Sequence, residues 1–195
     1  MRIVSGTLRG RAIPSHRSLA GIRLTSARLK EAIFSMLGDD LTGHSFLDLC
    51  AGSGQVGLEA LSRGAQVLLN EPDRCRCDRI RSLLGQWQVE GAETRCMTAQ
   101  RLVAQLGAED RRFDVVYVDP PYQAERGGRP LSLDLLEELG RVCPLEEQGL
   151  VLVQHRARLA LPVQAGTLQL LQRRSYGSTE LCIYRVGDGA DQACP

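Results

Sequence analysis

The segment HSFLDLCAGSGQVGLEALSRGAQVLLNE, residues His44 to Glu71, carries a strand, a glycine-rich loop, a helix and a second strand in succession. His44–Cys50 is an apolar run of strand length, Gly57–Gly64 is a short helical pattern stopped by its last glycine, and Gln66–Glu71 is apolar again. The alternation continues with a helix over Arg74–Leu84, a weaker strand over Glu93–Thr98 and a helical turn or two over Arg101–Leu106. A strand over Phe113–Asp119, a helix over Leu131–Arg141 and a strand over Gly149–His155 complete it. Apolar strands alternating with helices form parallel sheets covered on both faces. Thr167–Tyr176 and Thr179–Val186 follow as strands with no helix between them, so a closing hairpin adds an antiparallel strand. The fold class is α/β, doubly wound and mostly parallel.

Upstream, residues 2–13 suggest short β segments around Gly6 and Gly10, a hairpin. A turn-rich linker, PSHRSLAG, leads to a helix over Ala27–Leu37, capped by Thr25 or Ser26 and ended by Gly38. The chain therefore divides into a basic extension over 1–40, a main domain over 41–187 and a tail over 188–195 expected to be disordered.

With 195 residues, 43% hydrophobic and 24% charged, the chain suits one soluble domain with a real core. No apolar run approaches a membrane span, and MRIVSGTLRGR lacks the apolar centre of a signal peptide, so the expected location is the cytoplasm. Nothing demands a dimer, and a monomer is expected. The cysteines, Cys50, Cys75, Cys77, Cys96, Cys143, Cys182 and Cys194, are odd in number and form no CxxC pair. With only three histidines in the chain, they predict incidental thiols and no metal.

The net charge of +1 conceals an asymmetry. Residues 1–30 carry Arg2, Arg9, Arg11, Arg17, Arg23, Arg28 and Lys30 with no acid. Arginine's planar fork binds phosphate bidentately and stacks on bases, so this arm suits a polyanionic partner; a solvated tail is the competing explanation.

Gly52, Gly54 and Gly57 spell GxGxxG, and ligands of open α/β sheets sit outside the carboxyl ends of the strands, where this loop lies. Two acids argue against a dinucleotide. Asp48, just ahead of the loop, suits a cationic amino group and repels a pyrophosphate; Glu71, ending the next strand, suits ribose hydroxyls. S-adenosylmethionine has both features and no phosphate. Glu71 alone would fit NAD equally well.

The later strand ends in Asp119-Pro120-Pro121-Tyr122. An exocyclic amine conjugated to a base ring is a poor nucleophile until acceptors hold its protons. The Asp119 carboxylate and the Pro120 carbonyl supply two. The proline pair stiffens the turn and removes N–H donors, and Tyr122 offers a face on which an extruded base can stack. The pattern suits methylation of such an amine from a sulfonium donor, where positioning supplies most of the catalysis.

DPPY with FLDLCAGSGQVGLEALSRGA resembles the amino-methyltransferases of the seven-stranded S-adenosylmethionine-dependent class. Adding MRIVSGTLRGRAI, IRLTSARLKEAIFSML and YGSTELCIYR, the resemblance extends over roughly Met1 to Val186 and narrows to the RsmD family of bacterial 16S ribosomal RNA guanine methyltransferases. It implies a seven-stranded, Rossmann-like sheet and methyl transfer to the 2-amino group of one guanine, on assembled or partly assembled small subunits. It also implies that Asp119, Pro120, Pro121 and Tyr122 are catalytic. Asp48, Ala51, Gly52, Ser53, Gly54, Glu71 and Thr98 would hold the cofactor, and Arg9, Arg11, Arg23, Thr25 and Arg28 would face the RNA. The chain departs from the family pattern in three places. Arg23-Leu24-Thr25-Ser26-Ala27-Arg28 replaces R-P-T-T-D-R, Cys50 replaces a phenylalanine, and Thr98 stands where an acid or amide meets the adenine. A methyltransferase of another RNA base or of DNA adenine, a non-catalytic RNA-binding protein on this fold, and an NAD enzyme are the alternatives.

Overall fold

The computed structural model describes residues 1–14 and 26–187, which fall into two compact units, Met1–Thr98 and the described part of Ala99–Pro195. The linker from Ser15 onward, with His16, Arg17, Arg23, Leu24 and Thr25, and the tail over 188–195 lie outside the described residues.

In the first unit, α1 spans Ala27–Leu37, β1 Ser45–Asp48, α2 Gln55–Ser62, β2 Gln66–Asn70, α3 Arg74–Trp87 and β3 Ala92–Arg95. β2 lies between β1 and β3 and is parallel to both. Ser26 caps α1 by accepting the Leu29 N–H at 3.2 Å, and Gly38 ends the helix, as expected. The helix expected over Gly57–Gly64 begins earlier, at Gln55, because Gly54 caps it at φ 79°, a left-handed conformation that a side chain would strain. α3 runs past Leu84 to Trp87. β3 stops at Arg95, short of Thr98.

The arm is packed against the unit. Its expected hairpin reduces to one antiparallel bridge, Arg2 with Ala12, closed by Ile3 N–H to Arg11 O and Gly10 N–H to Ile3 O at 3.0 and 2.9 Å. Ile3, Leu8 and Ile13 are buried, each such side chain contributing about 1.5–3 kcal/mol on removal from water. Arg2, Arg9 and Arg11 remain exposed. The polar anchor is α2. Glu59, fully buried, accepts the Val4 and Ser5 N–H groups at 2.9 Å each and pairs with the Lys30 ammonium of α1 at 2.7 Å. Ser62 receives the Thr7 N–H on its carbonyl and the Leu8 N–H on its hydroxyl, at 2.7 and 2.9 Å. Gly6 crosses here so closely that a Cβ would overlap the Ser62 carbonyl.

In the second unit, α4 spans Ala99–Ala108, β4 Phe113–Val118, β5 Glu125–Arg126, β6 Arg129–Pro130, α5 Leu131–Val142, β7 Leu145–Arg156, β8 Gln164–Ala165, β9 Leu168–Tyr176 and β10 Thr179–Val186. β4 and β7 are parallel, β10 pairs antiparallel with β7 and with β9, and β8 extends the free side of β9. The closing hairpin is thus as expected. α4 is longer than the expected turn or two because Leu102, Val103 and Leu106 form a buried face. β7 starts at Leu145 rather than Gly149, its first residue pairing with Phe113. The chain folds as a mixed α/β protein, with parallel strands followed by an antiparallel C-terminal part. Among the described residues no helix is long and apolar enough to cross a membrane.

Removing Glu59 would leave the buried Lys30 ammonium with the Arg2 carbonyl at 3.2 Å but no counter-ion, and would strip the Val4 and Ser5 N–H groups of their acceptor. Glu59→Ala is expected to lower the unfolding free energy by about 3–5 kcal/mol in urea denaturation followed by circular dichroism. A loss below about 1 kcal/mol would mean that the buried pair does not hold the arm.

Candidate functional site

The glycine-rich loop leaves β1 at Leu49 and enters α2 at Gln55. Asp48 is buried, and its Oδ2 accepts the Gly57 N–H at 2.9 Å, tying the strand end to the first turn of α2. Glu71, just past β2, grips the other side of the loop. Its Oε2 accepts the Gly52 N–H at 2.9 Å and its Oε1 the Asp73 N–H at 3.0 Å, with the Arg76 guanidinium 3.7 Å away. Ala51 N–H donates to the Asn70 carbonyl at 2.8 Å, and Gly54 N–H to the Ala51 carbonyl at 2.7 Å. Asp48, Ala51, Gly52, Ser53, Gly54 and Glu71 therefore form one connected cradle. Thr98 is exposed and lies beyond the end of β3.

The chemistry of this cradle fits a cationic, hydroxyl-bearing ligand. Its two acids sit where a phosphate would have to approach. The Gln55 Oε1 and Asn70 Oδ1 atoms are buried with no hydrogen-bond partner among the described residues, so acceptors are available and a donor-rich ligand would satisfy them. Each Glu71 oxygen also keeps lone-pair capacity beyond its one backbone donor.

In the second unit, Asp119 stands at the tip of β4, half-buried, followed by buried Pro120 and exposed Pro121. The Pro121 carbonyl accepts the Ala124 N–H at 2.8 Å, and the Ala124 carbonyl accepts the Leu131 N–H at 2.9 Å, which fixes the turn onto α5. Pro121's carbonyl is thereby committed to the turn. Tyr117 donates its hydroxyl to Gln154 Oε1 at 2.6 Å and lies 3.4 Å from Asp119 Oδ2. The Tyr122 hydroxyl donates to Thr179 Oγ1 at 3.0 Å, and the Arg156 guanidinium lies 6.0 Å from its ring centre. A cavity of about 220 Å³ opens here, lined by Pro120, Pro121, Tyr122, Ser132, Gln154 and Arg156 among others. It is smaller than the ~300–1,000 Å³ of common small-molecule pockets and suits a single ring rather than a dinucleotide.

Tyr117, Gln154, Arg156 and Thr179 were given no role from sequence. Gln154 carried the clearest signal, as a polar residue inside the apolar run GLVLVQH that proves almost fully buried. Among the predicted RNA-facing residues, Arg9 and Arg28 are exposed. Arg11 is exposed too, with its guanidinium 5.7 Å from the centre of the Trp87 ring, so that tryptophan has a cation–π partner from the arm.

Residues 1–185 match the family model described as Conserved hypothetical protein 95. Ribosomal RNA small subunit methyltransferase D of Escherichia coli K12 is 31% identical over 186 residues, 95% of this chain and 89% of that protein. The YlbH protein of Bacillus subtilis 168 is 31% identical over 189 residues, covering 95% of this chain and 98% of its own length. The solved structure of YhhF from Escherichia coli shares 28% identity, with a TM-score of 0.79 over 95% of this chain and 97% of that one.

Burial, outweighing the Asp73 and Gly52 donors and Arg76, raises the Glu71 carboxyl above its ordinary value of 4.5. The unfolded chain then loses this proton first as pH rises. Glu71's contribution to stability is fully present below the unfolded value and is lost as pH rises through the folded one. The stability of wild type relative to Glu71→Gln is expected to fall in urea titrations as pH rises above the ordinary carboxyl value of 4.5. A constant or rising difference would contradict the assignment.

Proposed function

The chain belongs to the Conserved hypothetical protein 95 family, the RsmD family, and from that premise we propose that it methylates the 2-amino group of one guanine in 16S ribosomal RNA, with S-adenosylmethionine as donor and assembled or partly assembled 30S subunits as substrate. The observation that carries the chemistry is Asp119 at the tip of β4, flanked by the Tyr117–Gln154 hydrogen bond and followed by a proline-stiffened turn beside a ring-sized cavity. The name of the Escherichia coli relative supports ribosomal RNA as the substrate.

Asp48, Ala51, Gly52, Ser53, Gly54, Glu71 and Thr98 would hold the donor, which when bound supplies a methyl group already activated as a sulfonium. Asp119 would accept one N–H of the amine and the Pro120 carbonyl the other. Methylation would make the amine cationic and acidic, and Asp119 would be the group that takes its proton. Pro121 would keep the turn rigid. Tyr122, fixed at its hydroxyl by Thr179, would stack against the extruded guanine. Residues 1–40 would face the RNA, with Arg9, Arg11 and Arg28 displayed outward and Arg23 and Thr25 contributing from the linker. The protein would act as a monomer in the cytoplasm, where small subunits are found.

Asp119→Ala is expected to cut methyl transfer by about 100-fold or more while calorimetric binding of S-adenosylmethionine persists. Full activity in that variant would remove Asp119 from the mechanism. The assay should offer unmodified small subunits, naked 16S RNA and DNA. Product confined to DNA would overturn the ribosomal substrate, and absence of any product would favour a non-catalytic RNA-binding protein.

Arg9→Ala and Arg11→Ala are each expected to weaken substrate binding and to lower the slope of log affinity against log salt by about 1. A slope unchanged in both would return the arm to a purely structural role.

A further inference from the structure

His155 near the end of β7 is paired directly opposite Glu180 of β10, and Cys182 is two residues further along β10. Residues at i and i+2 of a strand share a face, as do directly opposed cross-strand residues, so the three side chains converge. His155 Nε2 is 3.3 Å from Cys182 Sγ and 3.5 Å from Glu180 Oε1, and Cys182 Sγ is 3.6 Å from the same oxygen. His155 and Cys182 are buried and Glu180 nearly so.

The histidine's tautomer is set by its other nitrogen. Nδ1 lies 3.0 Å from the Arg156 carbonyl oxygen, which can only accept, so the proton is on Nδ1 and a lone pair on Nε2 faces the triangle. That second hydrogen bond is how ligating histidines are usually oriented. Burial pulls the imidazole below its ordinary pKa and so favours this neutral form. The trio is then short of protons. Imidazole Nε2 and the Glu180 carboxylate are both acceptors, and the single Cys182 S–H can serve only one of them. A cation at the centre would satisfy all three. Zinc bonds of about 2.3 Å to sulfur and about 2.0–2.1 Å to nitrogen and oxygen, at tetrahedral angles, require ligand–ligand edges of about 3.3–3.6 Å. The observed edges already match one face of that tetrahedron.

We propose that His155, Glu180 and Cys182 form a binding site for a borderline-soft divalent metal ion of the zinc type, clamping β7 to β10. On binding, the Cys182 thiol gives up its proton to solvent and an S–metal bond forms. Thiolate and carboxylate together neutralise a divalent ion. The Arg173 guanidinium, on β9 opposite Cys182, opposes the cation but also steadies the thiolate. The site is independent of the methyl-transfer proposal and touches none of its reacting atoms. It adjoins Thr179, which holds Tyr122, and Gln154, which holds Tyr117, so its effect would be to stiffen the strand pair supporting the DPPY turn.

The test uses the full chain, stripped with a chelator and titrated with cobalt(II). One cobalt per chain should give a thiolate-to-cobalt charge-transfer band, displaced by zinc. The band should disappear in Cys182→Ser and weaken sharply in His155→Gln, and it should persist in Cys75→Ser and Cys96→Ser, with circular dichroism confirming that each variant folds. Glu180→Gln should keep the band with affinity lower by at least about tenfold. Because one proton leaves, wild-type affinity should rise about tenfold per pH unit between about pH 7 and about pH 8. No band in wild type, a band that survives Cys182→Ser, or an affinity independent of pH would each overturn the site.

Discussion

A glutamate with no exposed surface sits in the middle of α2, and most of what is unusual about the first unit follows from accommodating it. An ionised carboxylate cannot be buried without partners, so Glu59 draws in the Lys30 ammonium, the backbone donors of Val4 and Ser5, and the Arg63 guanidinium at 3.5 Å. These partners come from the arm, from α1 and from α2 itself. Apolar burial of Ile3, Leu8 and Ile13 supplies adhesion for the arm, but adhesion does not fix a register. The directed bonds to Glu59 and Ser62 do, and they leave Arg2, Arg9 and Arg11 exposed. The described part of the arm, residues 1–14, is therefore a structured surface whose charges have defined positions, which separates it from a solvated basic tail.

The same helix is held at its other end by the loop that precedes it. Asp48 takes the Gly57 N–H and Glu71 takes the Gly52 N–H, so two carboxylates brace a loop that a phosphate binder would surround with donors. A P-loop or dinucleotide fingerprint directs N–H groups and helix dipole at an anion. Here the Gly52 and Gly57 N–H groups are taken by acids, while buried Gln55 and Asn70 present unfilled acceptors. Glycine spacing alone leaves NAD and S-adenosylmethionine open. The charge of the bracing groups favours the cation.

Secondary structure was legible where local chemistry decided it and blurred where packing did. The ends of α1 were readable because Ser26 and Gly38 cap it locally. The start of α2 was not, since it depends on Gly54 adopting a left-handed cap and on Asp48 reaching Gly57 across the loop. The ribbon of β5 and β6 was missed although Gly127-Gly128, both at positive φ, are the residues a tight hairpin asks for. The candidate site divides the same way. Asp119 to Tyr122 are contiguous and could be read directly, whereas Gln154 bonds the neighbouring Tyr117 from 37 residues away and Thr179 bonds Tyr122 from 57 residues away along the chain. Glu59 hid in plain view, because one acid in a short helix looks like a solvated residue until its partners are known.

The DPPY turn shows why such distant partners matter. An acceptor pair is useful to an amine only if both oxygens hold their positions when the nitrogen turns tetrahedral. Proline rigidity controls the backbone carbonyl but not a side-chain carboxylate one residue earlier. Tyr117 fills that gap. Its single phenolic proton goes to Gln154 at 2.6 Å, which parks the hydroxyl beside Asp119 Oδ2 at 3.4 Å without neutralising the carboxylate through a short bond. Gln154 on β7 thus fixes where the phenol sits beside Asp119. β10 does the corresponding work for Tyr122 through Thr179. The motif's four residues are short in sequence, yet their geometry is imposed by the two strands that pair as the chain closes.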